Sequence, residues 1–390
     1  MNDKRRIVHI ALSWPMMDGL NYQDNLLPKY HTRLGFKVTV ISSKWVFDQN
    51  GDVVYENRAR YSTQDFDVIR LDLKFGKDVN SKFKKYDGLY DTLSQLNPDI
   101  LFVHEVNFLD ILTVKKYCCK HNVILYVDNH CDMKNSCKNF VSKKVLHGLV
   151  WRFCAKRIEP YVKKFYGVLP ARVTFLEEVY HLNKNKCELL VMGADDDYLT
   201  IAKKEENIEN FRTQNNVNKD DFLVVTGGKI NSNRPETLNL MKAINDIKDQ
   251  KVKLLVFGTI APDLKSSFDA LLDNKKIIYV GWKDAIGTYE CMASANLVVF
   301  PGLHSVMWEQ AVALGVPTMF RDIGGFHHVD LGGNCIFLKD VSVEGIKNEI
   351  ENLINNPRKY RIMELVAKEK GMNAFSYKNI AKKSINLEEK

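Results

Sequence analysis

The sequence predicts an α/β protein with two doubly wound domains, each a parallel sheet covered by helices on both faces. Three observations support this fold class. Short apolar segments alternate with helix-like segments along the chain, which is typical of parallel sheets. The alternation stops in a polar stretch between about residues 193 and 222 and then resumes. The 390 residues are enough for two domains of ordinary size.

The first half contains six short apolar segments that predict buried strands. They are Ile7–Leu12, Lys37–Ile41, Val68–Leu71, Ile100–Val103, Val123–Val127 and Phe165–Val168. Helix-like segments lie between several of them, at Tyr22–Leu34, Phe83–Leu96 and Phe108–His121. We expect residues 1–195 to form the N-terminal domain.

The second half repeats the pattern, with helices predicted from about Pro235, Asp263, Asp284 and Ser305. The predicted strands are Phe222–Thr226, Val252–Phe257, Ile277–Val280, Leu297–Phe300 and Pro317–Phe320. Residues 343–387 are helical in composition, with breaks near Pro357 and Phe375. We expect a C-terminal domain at 196–372 and a closing helix at 373–390.

Composition excludes several classes of protein. No apolar run reaches about 18 residues, so no transmembrane helix is expected, and the N-terminus lacks the pattern of a signal peptide. The eight cysteines form no CxxC pair, which indicates reduced thiols in a cytoplasmic protein. The sequence around His130, Cys131, Cys137 and His147 fits no common zinc spacing, so no metal site is predicted.

The net charge of +8 is concentrated in one half of the chain. Residues 1–190 carry 30 Lys and Arg against 21 Asp and Glu, a balance of +9, whereas the remainder carries 26 against 27. A basic half favours an acidic substrate, anionic lipid or nucleic acid, although a solvated surface explains most of these lysines. The basic residues lack interleaved aromatics, which disfavours nucleic acid.

The stretch from Phe300 to Phe320, FPGLHSVMWEQAVALGVPTMF, predicts a strand, a loop, a helix from about Ser305 and a second strand. The N–H groups and partial positive charge of a helix start suit a phosphate. Glu309 lies in the first turns of this helix, where its carboxylate suits a sugar or ribose diol. This combination predicts a nucleotide ligand.

The segment TGGKINSNRPE is predicted to be the loop after the first strand of the second half. Gly227 and Gly228 permit a tight turn, while Lys229 and Arg234 supply two cations before Pro235 opens a helix. Two cations and a helix start can hold a pyrophosphate. A basic surface loop is the alternative reading of this segment.

Two loops of the first half also follow predicted strands. Gly19 lies in SWPMMDGLNYQDN and can bring its backbone near a ligand, although the loop has no GxGxxG pattern. His130 lies in DNHCDMKNS between Asp128 and Asp132. This histidine can donate to a sugar hydroxyl or a developing charge, with a carboxylate fixing its tautomer. A purely structural role is the alternative.

Residues 138–164 have a helical pattern with many cations. Val141, Val145, Leu149, Phe153 and Ile158 predict an apolar face. Such a basic amphipathic helix can lie against anionic lipid headgroups. The alternative is a core helix with a solvated basic face.

Taken in the order in which they occur along the chain, the segments described above resemble those of the family-4 retaining glycosyltransferases. The likeness covers nearly the whole chain and is strongest in PGLHSVMWEQAVALGVP and GGKINSNRPE, with support from GWKDAIGTYECMASANLVVFPG and LLVMGADDDYL. It implies the GT-B fold, two Rossmann-like domains facing across a cleft. It also implies a nucleotide-sugar donor bound mainly by the C-terminal domain, an acceptor held by the N-terminal domain, and a last helix that crosses back to that domain.

The resemblance assigns roles to individual residues. Lys229 and Arg234 look like the basic pair on the donor pyrophosphate, with the family's usual Arg and Lys exchanged, and Glu309 looks like the glutamate that binds the ribose. The other implied contacts are Gly19 and Gly228 near the phosphates, Ser305 and Val306 at the helix start, Gly281 and Trp282 at the base, and His130 beside the transferred sugar.

One departure from the family concerns its Glu–seven residues–Glu motif. The position eight residues before Glu309 is Pro301, not glutamate. His304 would take the place of the first glutamate, which contacts the donor sugar, if the loop is a few residues shorter. A histidine can donate a hydrogen bond there, but it cannot supply the negative charge of a carboxylate. The resemblance therefore places His304 beside His130, Lys229 and Arg234 among the catalytic candidates.

The predicted function is transfer of a hexose-type sugar from a nucleotide sugar to a hydroxyl acceptor with retention, in biosynthesis of a capsule or O-antigen type polysaccharide. The expected partners are the donor, a saccharide or lipid-linked saccharide acceptor, and an anionic membrane at the inner face of the plasma membrane. No cofactor, metal or nucleic acid is expected. A sugar-nucleotide epimerase and a non-catalytic donor-binding homologue are the alternatives.

Overall fold

The structure, a computed structural model, describes residues 4–16, 22–48, 52–74, 83–232, 235–272 and 276–387. The chain divides into two compact units. Unit 1 comprises Met1–Met192 together with Ile380–Lys390, and unit 2 comprises Gly193–Asn379. Each unit has its own buried apolar cluster, so each is described by itself.

Unit 1 is built around an eight-stranded sheet. Its strands in chain order are β1 (Arg6–Ala11), β2 (Lys37–Ser43), β3 (Trp45–Phe47), β4 (Val53–Tyr55), β5 (Arg60–Ser62), β6 (Asp67–Leu71), β7 (Ile100–His104), β8 (Ile124–Asn129), β9 (Val162–Gly167) and β10 (Cys187–Leu189). The sheet order is β10-β9-β8-β7-β1-β2-β6-β5, and β3 pairs separately with β4. All pairings in the large sheet are parallel except that of the edge strand β5.

Helices cover the sheet of unit 1. They are α1 (Gln23–Arg33), α2 (Leu89–Leu96), α3 (Ile111–Cys118), a π-helix (Val141–Trp151), α4 (Arg152–Ile158) and α5 (Pro170–Glu178), with short 3₁₀ turns at Glu159–Tyr161 and Lys184–Lys186. The central strands are buried along their length, which explains why their sequences are continuous apolar runs.

Unit 2 holds a six-stranded, fully parallel sheet in the order β13-β12-β11-β14-β15-β16. Its elements are α6 (Asp196–Ala202), α7 (Glu205–Gln214), β11 (Phe222–Ile230), α8 (Glu236–Asp246), β12 (Val252–Ile260), α9 (Pro262–Asp269), β13 (Ile277–Tyr279), α10 (Ala285–Ala293), β14 (Leu297–Phe300), α11 (Met307–Leu314), β15 (Thr318–Arg321), a 3₁₀ turn (His327–Val329), β16 (Cys335–Leu338), α12 (Val343–Ile354) and α13 (Pro357–Phe375). The last helix, α14 (Tyr377–Ser384), belongs to unit 1 from Ile380 onward.

The α/β fold class predicted from the sequence is confirmed, and each predicted strand is present. Two predicted elements need correction. The segment taken for a loop at Gly227–Lys229 continues strand β11, because β12 is equally long and pairs with it through Ile230 and Ile260. The predicted helix at 138–164 ends before β9, because Pro160 closes it in a 3₁₀ turn.

Topology determines where the strand-end residues of each unit lie. In unit 1, β1, β7 and β8 are neighbours, so the residues that follow them share one edge of the sheet. In unit 2, β11 lies between β12 and β14, which brings the ends of these strands to one edge as well. Ligands of open parallel sheets bind at such carboxyl ends. No helix in the described part of the chain is long and apolar enough to cross a membrane.

Candidate functional site

At the carboxyl end of β11 in unit 2, the backbone lies close to the neighbouring strand β12. A Cβ added at Gly227 would meet the Phe257 ring at 2.6 Å, and one added at Gly258 would meet the Gly228 carbonyl oxygen at 2.0 Å. Gly228 and Gly258 adopt φ angles of 110° and 116°, which glycine tolerates best. A side chain larger than hydrogen is therefore excluded at positions 227 and 258.

The glycine edge extends to the next strand. The Gly258 N–H donates to the carbonyl of Gly281 at 2.8 Å, directly after β13. Gly281 has φ of 72° with open space where a Cβ would lie, and the side chain of Trp282 beside it is 69% exposed. A bare backbone next to an exposed aromatic ring can receive a flat ligand group.

Lys229 provides the cation at this edge. Its side chain is exposed at the end of β11, and it has no hydrogen-bond or ion-pair partner among the residues that the structure describes. Arg234, the second predicted cation, lies outside the described residues, as does Gly19 of the first loop. An unpaired ammonium group at a sheet edge is available to an anion.

Helix α11 begins at Met307 with Val306 as its N-cap, two residues after the predicted start at Ser305. The first N–H groups of a helix have no acceptor within the helix and carry partial positive charge. Ser305 and Val306 are partly exposed at this start. The helix lies after β14, the strand that pairs with β11.

Glu309 and two histidines form a buried cluster behind this helix start. Glu309 is 0% exposed, and its Oε1 accepts from His304 Nε2 at 2.9 Å and from His328 Nε2 at 2.7 Å. The second oxygen, Oε2, has no partner among the described residues, and neither do His328 Nδ1 and Trp308 Nε1. His304 turns its Nε2 toward Glu309 rather than into solvent.

The two imidazoles keep this carboxylate ionised. Burial by itself would raise the pKa of Glu309, but the charge and hydrogen bonds of His304 and His328 outweigh it and lower the pKa to about 2. His304, Glu309 and His328 also form a group whose ligand-type atoms lie within 4.8 Å of one another, so this group could hold a metal ion. The N–H groups of His304 and His328 already satisfy Oε1 without a metal ion.

In unit 1, the strand-end residues are organised by Asp128, which is 0% exposed at the end of β8. Its Oδ2 accepts from His104 Nδ1 at 2.8 Å and from Gln23 Nε2 at 2.9 Å, and its Oδ1 accepts from the Glu105 N–H at 3.1 Å. Burial would raise the pKa of Asp128, but His104 and His130 hold it well below the ordinary value.

His130 is held at the same edge by its backbone. Its N–H donates to Glu105 Oε1 at 2.7 Å, and its carbonyl accepts from Asn135 Nδ2 at 2.8 Å. Its Nε2 lies 3.6 Å from Asp128 Oδ1, and the side chain is 34% exposed. Although burial opposes it, Asp128 and then Glu105 raise the pKa of His130. The ring is fixed by the main chain and remains open to a ligand.

Three more imidazoles continue inward from Asp128 in one line. His104 Nε2 lies 3.1 Å from His9 Nδ1, and His9 Nε2 lies 3.0 Å from His31 Nδ1. His31 Nε2 then faces the Ala381 carbonyl at 3.1 Å and Ser384 Oγ at 2.9 Å. The line thus connects the edge of the sheet with the segment of α14 that belongs to unit 1.

The two ends of this line differ in what they offer. The Asp128 carboxylate only accepts, whereas the Ser384 hydroxyl at the other end can donate to the Ala381 carbonyl or to His31 Nε2. Three neutral imidazoles satisfy every hydrogen bond of the line when Ser384 donates to His31. Burial lowers the pKa of His9 well below its usual value and that of His31 to about 4.

Several of these residues were missed by the sequence analysis. Glu105 has a left-handed φ of 74°, unusual for glutamate, and burial raises its pKa. His104 and Glu105 directly follow the strand predicted at Ile100–Val103, so the strand-end rule that selected His130 applies to them too. His328 carries no such signal, because it lies 19 residues beyond Glu309 in a segment without a motif.

Comparisons with known proteins identify the fold. No protein-family profile and no curated protein matches the chain. Among solved structures, a glycosyltransferase from Rickettsia africae ESF-5 is 15% identical, with a TM-score of 0.68 and coverage of 99% of this chain and 98% of that one. The chain has the GT-B fold. At this identity, the likeness establishes the fold alone.

Two further solved structures are similar over nearly their full lengths. HepE from Anabaena, in complex with UDP and glucose, is 12% identical with a TM-score of 0.64, covering 98% of this chain and 99% of that one. A putative UDP-N-acetylglucosamine 2-epimerase from Listeria monocytogenes is 14% identical with a TM-score of 0.62, covering 99% and 98%. The same fold is therefore found in proteins described as transferase and as epimerase.

Proposed function

We propose that this protein is a retaining glycosyltransferase that moves a sugar from a nucleotide-sugar donor to a hydroxyl acceptor. The observation that carries the proposal is Lys229, which is exposed at the glycine edge of unit 2 and has no partner among the described residues. The next strand of the sheet, β14, leads to the start of α11, so a cation and a helix N-terminus follow neighbouring strands. Both groups suit a diphosphate.

In the proposed reaction, the bond between the anomeric carbon and the donor phosphate oxygen breaks and the acceptor oxygen bonds to the anomeric carbon, while the acceptor hydroxyl gives its proton to the departing diphosphate. Lys229, Arg234 and the N–H groups at Ser305 and Val306 stabilise the negative charge of the departing diphosphate. These groups supply positive charge without a divalent metal. Gly228 is proposed to let the backbone of β11 approach the donor phosphates, and the proposed contact at Gly19 lies outside the described residues.

The remaining donor contacts are proposed for residues of unit 2. The bare backbone at Gly281 and the exposed ring of Trp282 receive the base. Glu309 accepts from the ribose through Oε2, the oxygen that the two histidines leave unpaired. This requires the carboxylate to become accessible when donor binds, because it is fully buried here. His304 then contacts the sugar only if it leaves Glu309.

His130 is the proposed residue of unit 1 beside the transferred sugar. Its main chain is hydrogen-bonded on both sides, and its ring is partly exposed next to an ionised aspartate. A fixed imidazole with a raised pKa donates to a sugar hydroxyl or to charge that develops at the leaving group. The acceptor is proposed to be a growing saccharide or lipid-linked saccharide of a cell-surface polysaccharide.

The donor is tested first by thermal shift against UDP, GDP, ADP, TDP and their sugars. A ligand that binds the folded state alone raises the melting temperature by mass action. One nucleoside diphosphate and its sugar are expected to stabilise the protein, followed by acceptor-dependent release of the diphosphate. A chain that is stabilised by none of the panel contradicts the proposal.

Removing the proposed diphosphate contact gives the sharper test. Lys229→Ala is expected to lower turnover about a hundredfold, as loss of one transition-state donor does in other enzymes. Lys242→Ala is the matched control, because Lys242 is an exposed lysine on the neighbouring helix α8. Equal turnover in the two variants, both folded by circular dichroism, rules out the assigned role of Lys229.

The epimerase is a second candidate, favoured by the similarity to the Listeria protein. An epimerase converts a nucleotide sugar when no acceptor is present, whereas the proposed transferase consumes donor productively only with an acceptor. Incubation with donor alone, followed by analysis of the sugar, separates the two. Donor binding without turnover under either condition would instead identify a non-catalytic homologue.

A further inference from the structure

His304, Glu309 and His328 come together from the ends of two neighbouring strands of unit 2. His304 lies in the loop that follows β14, Glu309 lies in the first turn of α11, and His328 lies in the 3₁₀ turn that follows β15. Because β14 and β15 pair in parallel, the segments that follow them meet at one edge of the sheet. We call these three side chains the two-histidine cluster.

The two-histidine cluster has the ligand types and nearly the spacing of a zinc site. Imidazole nitrogens and carboxylate oxygens bind Zn²⁺ at about 2.0–2.2 Å, so the ligand atoms of a tetrahedral site lie about 3.4 Å apart. The Nε2 atoms of His304 and His328 lie 2.9 Å and 2.7 Å from Glu309 Oε1, and the three ligand atoms lie within 4.8 Å of one another. Shifts of about 0.5–0.7 Å therefore bring these atoms to the separation that a zinc ion requires.

A second, independent observation is a buried carboxylate oxygen that the protein leaves unsatisfied. Glu309 is 0% exposed, and its Oε2 accepts no hydrogen bond from the described residues. Burial of a charge is costly unless the group is paired, hydrogen-bonded or coordinated to a metal. The two imidazole N–H groups share Oε1, whereas an ion between the rings and the carboxylate attracts both oxygens. A divalent cation therefore compensates this carboxylate more fully than the two hydrogen bonds do.

The surroundings of the cluster favour zinc over ions that prefer oxygen ligands. The side chains of His304 and His328 are only 7% and 3% exposed. The rings of Trp308 and Phe326 lie 5.1 Å from that of His304, and the Phe375 ring lies 6.2 Å from that of His328. An aromatic shell leaves room for few waters, which suits a four-coordinate ion and disfavours Mg²⁺, which keeps several waters.

We propose that the two-histidine cluster binds a Zn²⁺ ion. Each imidazole coordinates through the Nε2 atom that donates to Glu309 in the metal-free protein. The proton of a neutral ring therefore moves from Nε2 to Nδ1, so the ring keeps its single proton and offers a lone pair to the metal. Glu309 supplies the negative ligand, and a water molecule fills the fourth position.

Zinc at this position opposes donor binding, a consequence that rests on the proposed function, whereas zinc binding itself does not. The proposed ribose contact requires Glu309 to become accessible, and the proposed sugar contact requires His304 to leave it. An ion that ties His304 and His328 to Glu309 holds the buried arrangement in place. Zinc and donor therefore exclude each other, and the metal acts as an inhibitor of transfer.

Cobalt substitution tests the site without nucleotide or saccharide. The full chain, without an affinity tag and stripped of metal by a chelator, is titrated with Co²⁺, which takes the same ligands as Zn²⁺ and absorbs visible light strongly in a tetrahedral site. We expect this absorption to saturate at a single Co²⁺ per chain and to be lost on addition of Zn²⁺ but not of Mg²⁺. No such absorption, or a near-ultraviolet band from thiolate ligands in its place, overturns the proposal.

Variants assign the metal to the cluster. His328→Gln is expected to lower Zn²⁺ affinity about a hundredfold or more, because even outer-shell partners of a metal contribute up to that much. His327→Gln is the matched control, because His327 is the preceding residue of the same turn but is exposed and faces Asp322 Oδ1 at 2.7 Å. Equal Zn²⁺ affinity in the two variants refutes the site. If His328→Gln does not fold, His304→Gln removes the other imidazole and gives the same comparison.

Competition tests the inhibitory consequence. With the nucleoside diphosphate selected by the thermal-shift panel, Zn²⁺ is expected to weaken nucleotide binding at least tenfold in the wild type and not in His328→Gln. Chelation of Zn²⁺ by the nucleotide itself affects both proteins equally, so the difference between them reports the site. Equal weakening in both, or none in the wild type, overturns the exclusion. Cobalt binding by a chain that binds no nucleotide would contradict the proposed function and leave the zinc site intact.

Discussion

Glu309 is a buried residue whose charge stabilises the folded chain above pH 4.5. Its pKa is about 2 in the folded protein and 4.5 ordinarily, so the unfolded state binds more protons between these values. The stabilisation is therefore complete above pH 4.5 and is lost as the pH falls toward 2. The difference corresponds to about 3 kcal/mol.

Glu309→Gln should therefore destabilise unit 2 by about 3 kcal/mol at pH 7, because the amide keeps one acceptor for the histidines but carries no charge. The deficit relative to the wild type should shrink as pH falls below 4.5. Urea unfolding at several pH values measures this, with the exposed Glu344→Gln as control. A deficit that does not change with pH would show that lost packing, not charge, is responsible.

The imidazole line of unit 1 makes the folded chain less stable in acid. His31 has a pKa of about 4 in the fold against 6.5 ordinarily, so protonation favours the unfolded state. Stability is complete above pH 6.5 and falls as the pH drops toward 4, by about 3 kcal/mol for His31.

His31→Phe should flatten this pH dependence. It removes hydrogen bonds and so lowers stability at pH 7.5, but the slope of unfolding free energy between pH 6.5 and 4.5 should decrease. Hydrogen exchange of unit 1 peptides measures the slope without interference from unit 2. His181→Asn is the control, because His181 is exposed and its φ of 53° suits asparagine. An unchanged slope in His31→Phe would show that His31 is not the group whose protonation destabilises unit 1.

At the level of elements, the close pairing of β11 and β12 depends on glycine. A Cβ at position 258 would lie 2.0 Å from a backbone oxygen that cannot move away without breaking the sheet. Gly258→Ala should destabilise unit 2 by about 3 kcal/mol or more, because overpacking and a positive φ both oppose the side chain.

Gly281→Ala is the matched control, measured by the same urea unfolding. Its φ is also positive, but no atom lies within 4 Å of the added methyl group. Gly281→Ala should lower the free energy of unfolding only by the backbone strain, about 1–2 kcal/mol. Equal losses in the two variants would show that strain, rather than the clash with Gly228, restricts this edge.

Across the whole molecule, the sequence predicted what depends on local pattern. The buried central strands were predicted because their apolar runs are continuous, whereas the short strands β3, β4, β5, β10 and β16 were missed because three or four residues carry little pattern. His130 and Glu309 were selected as candidates because each comes after a predicted strand. The contacts of His104 with Asp128 and of His328 with Glu309 were not, because they depend on strand register and on folding of a distant turn.

Val141, Val145, Leu149 and Phe153 are exposed on the π-helix and α4, and this apolar row has a consequence for the protein in plain buffer. Exposed apolar patches promote association, but the seven Lys and Arg between Met133 and Ile158 repel a second copy. At about 1 M salt the Debye length falls to about 3 Å, and this repulsion no longer reaches the neighbour. The sedimentation coefficient should therefore rise with salt in the wild type and stay constant in Leu149→Ser with Phe153→Ser. The cations beside the apolar row would thus keep the purified protein colloidally stable.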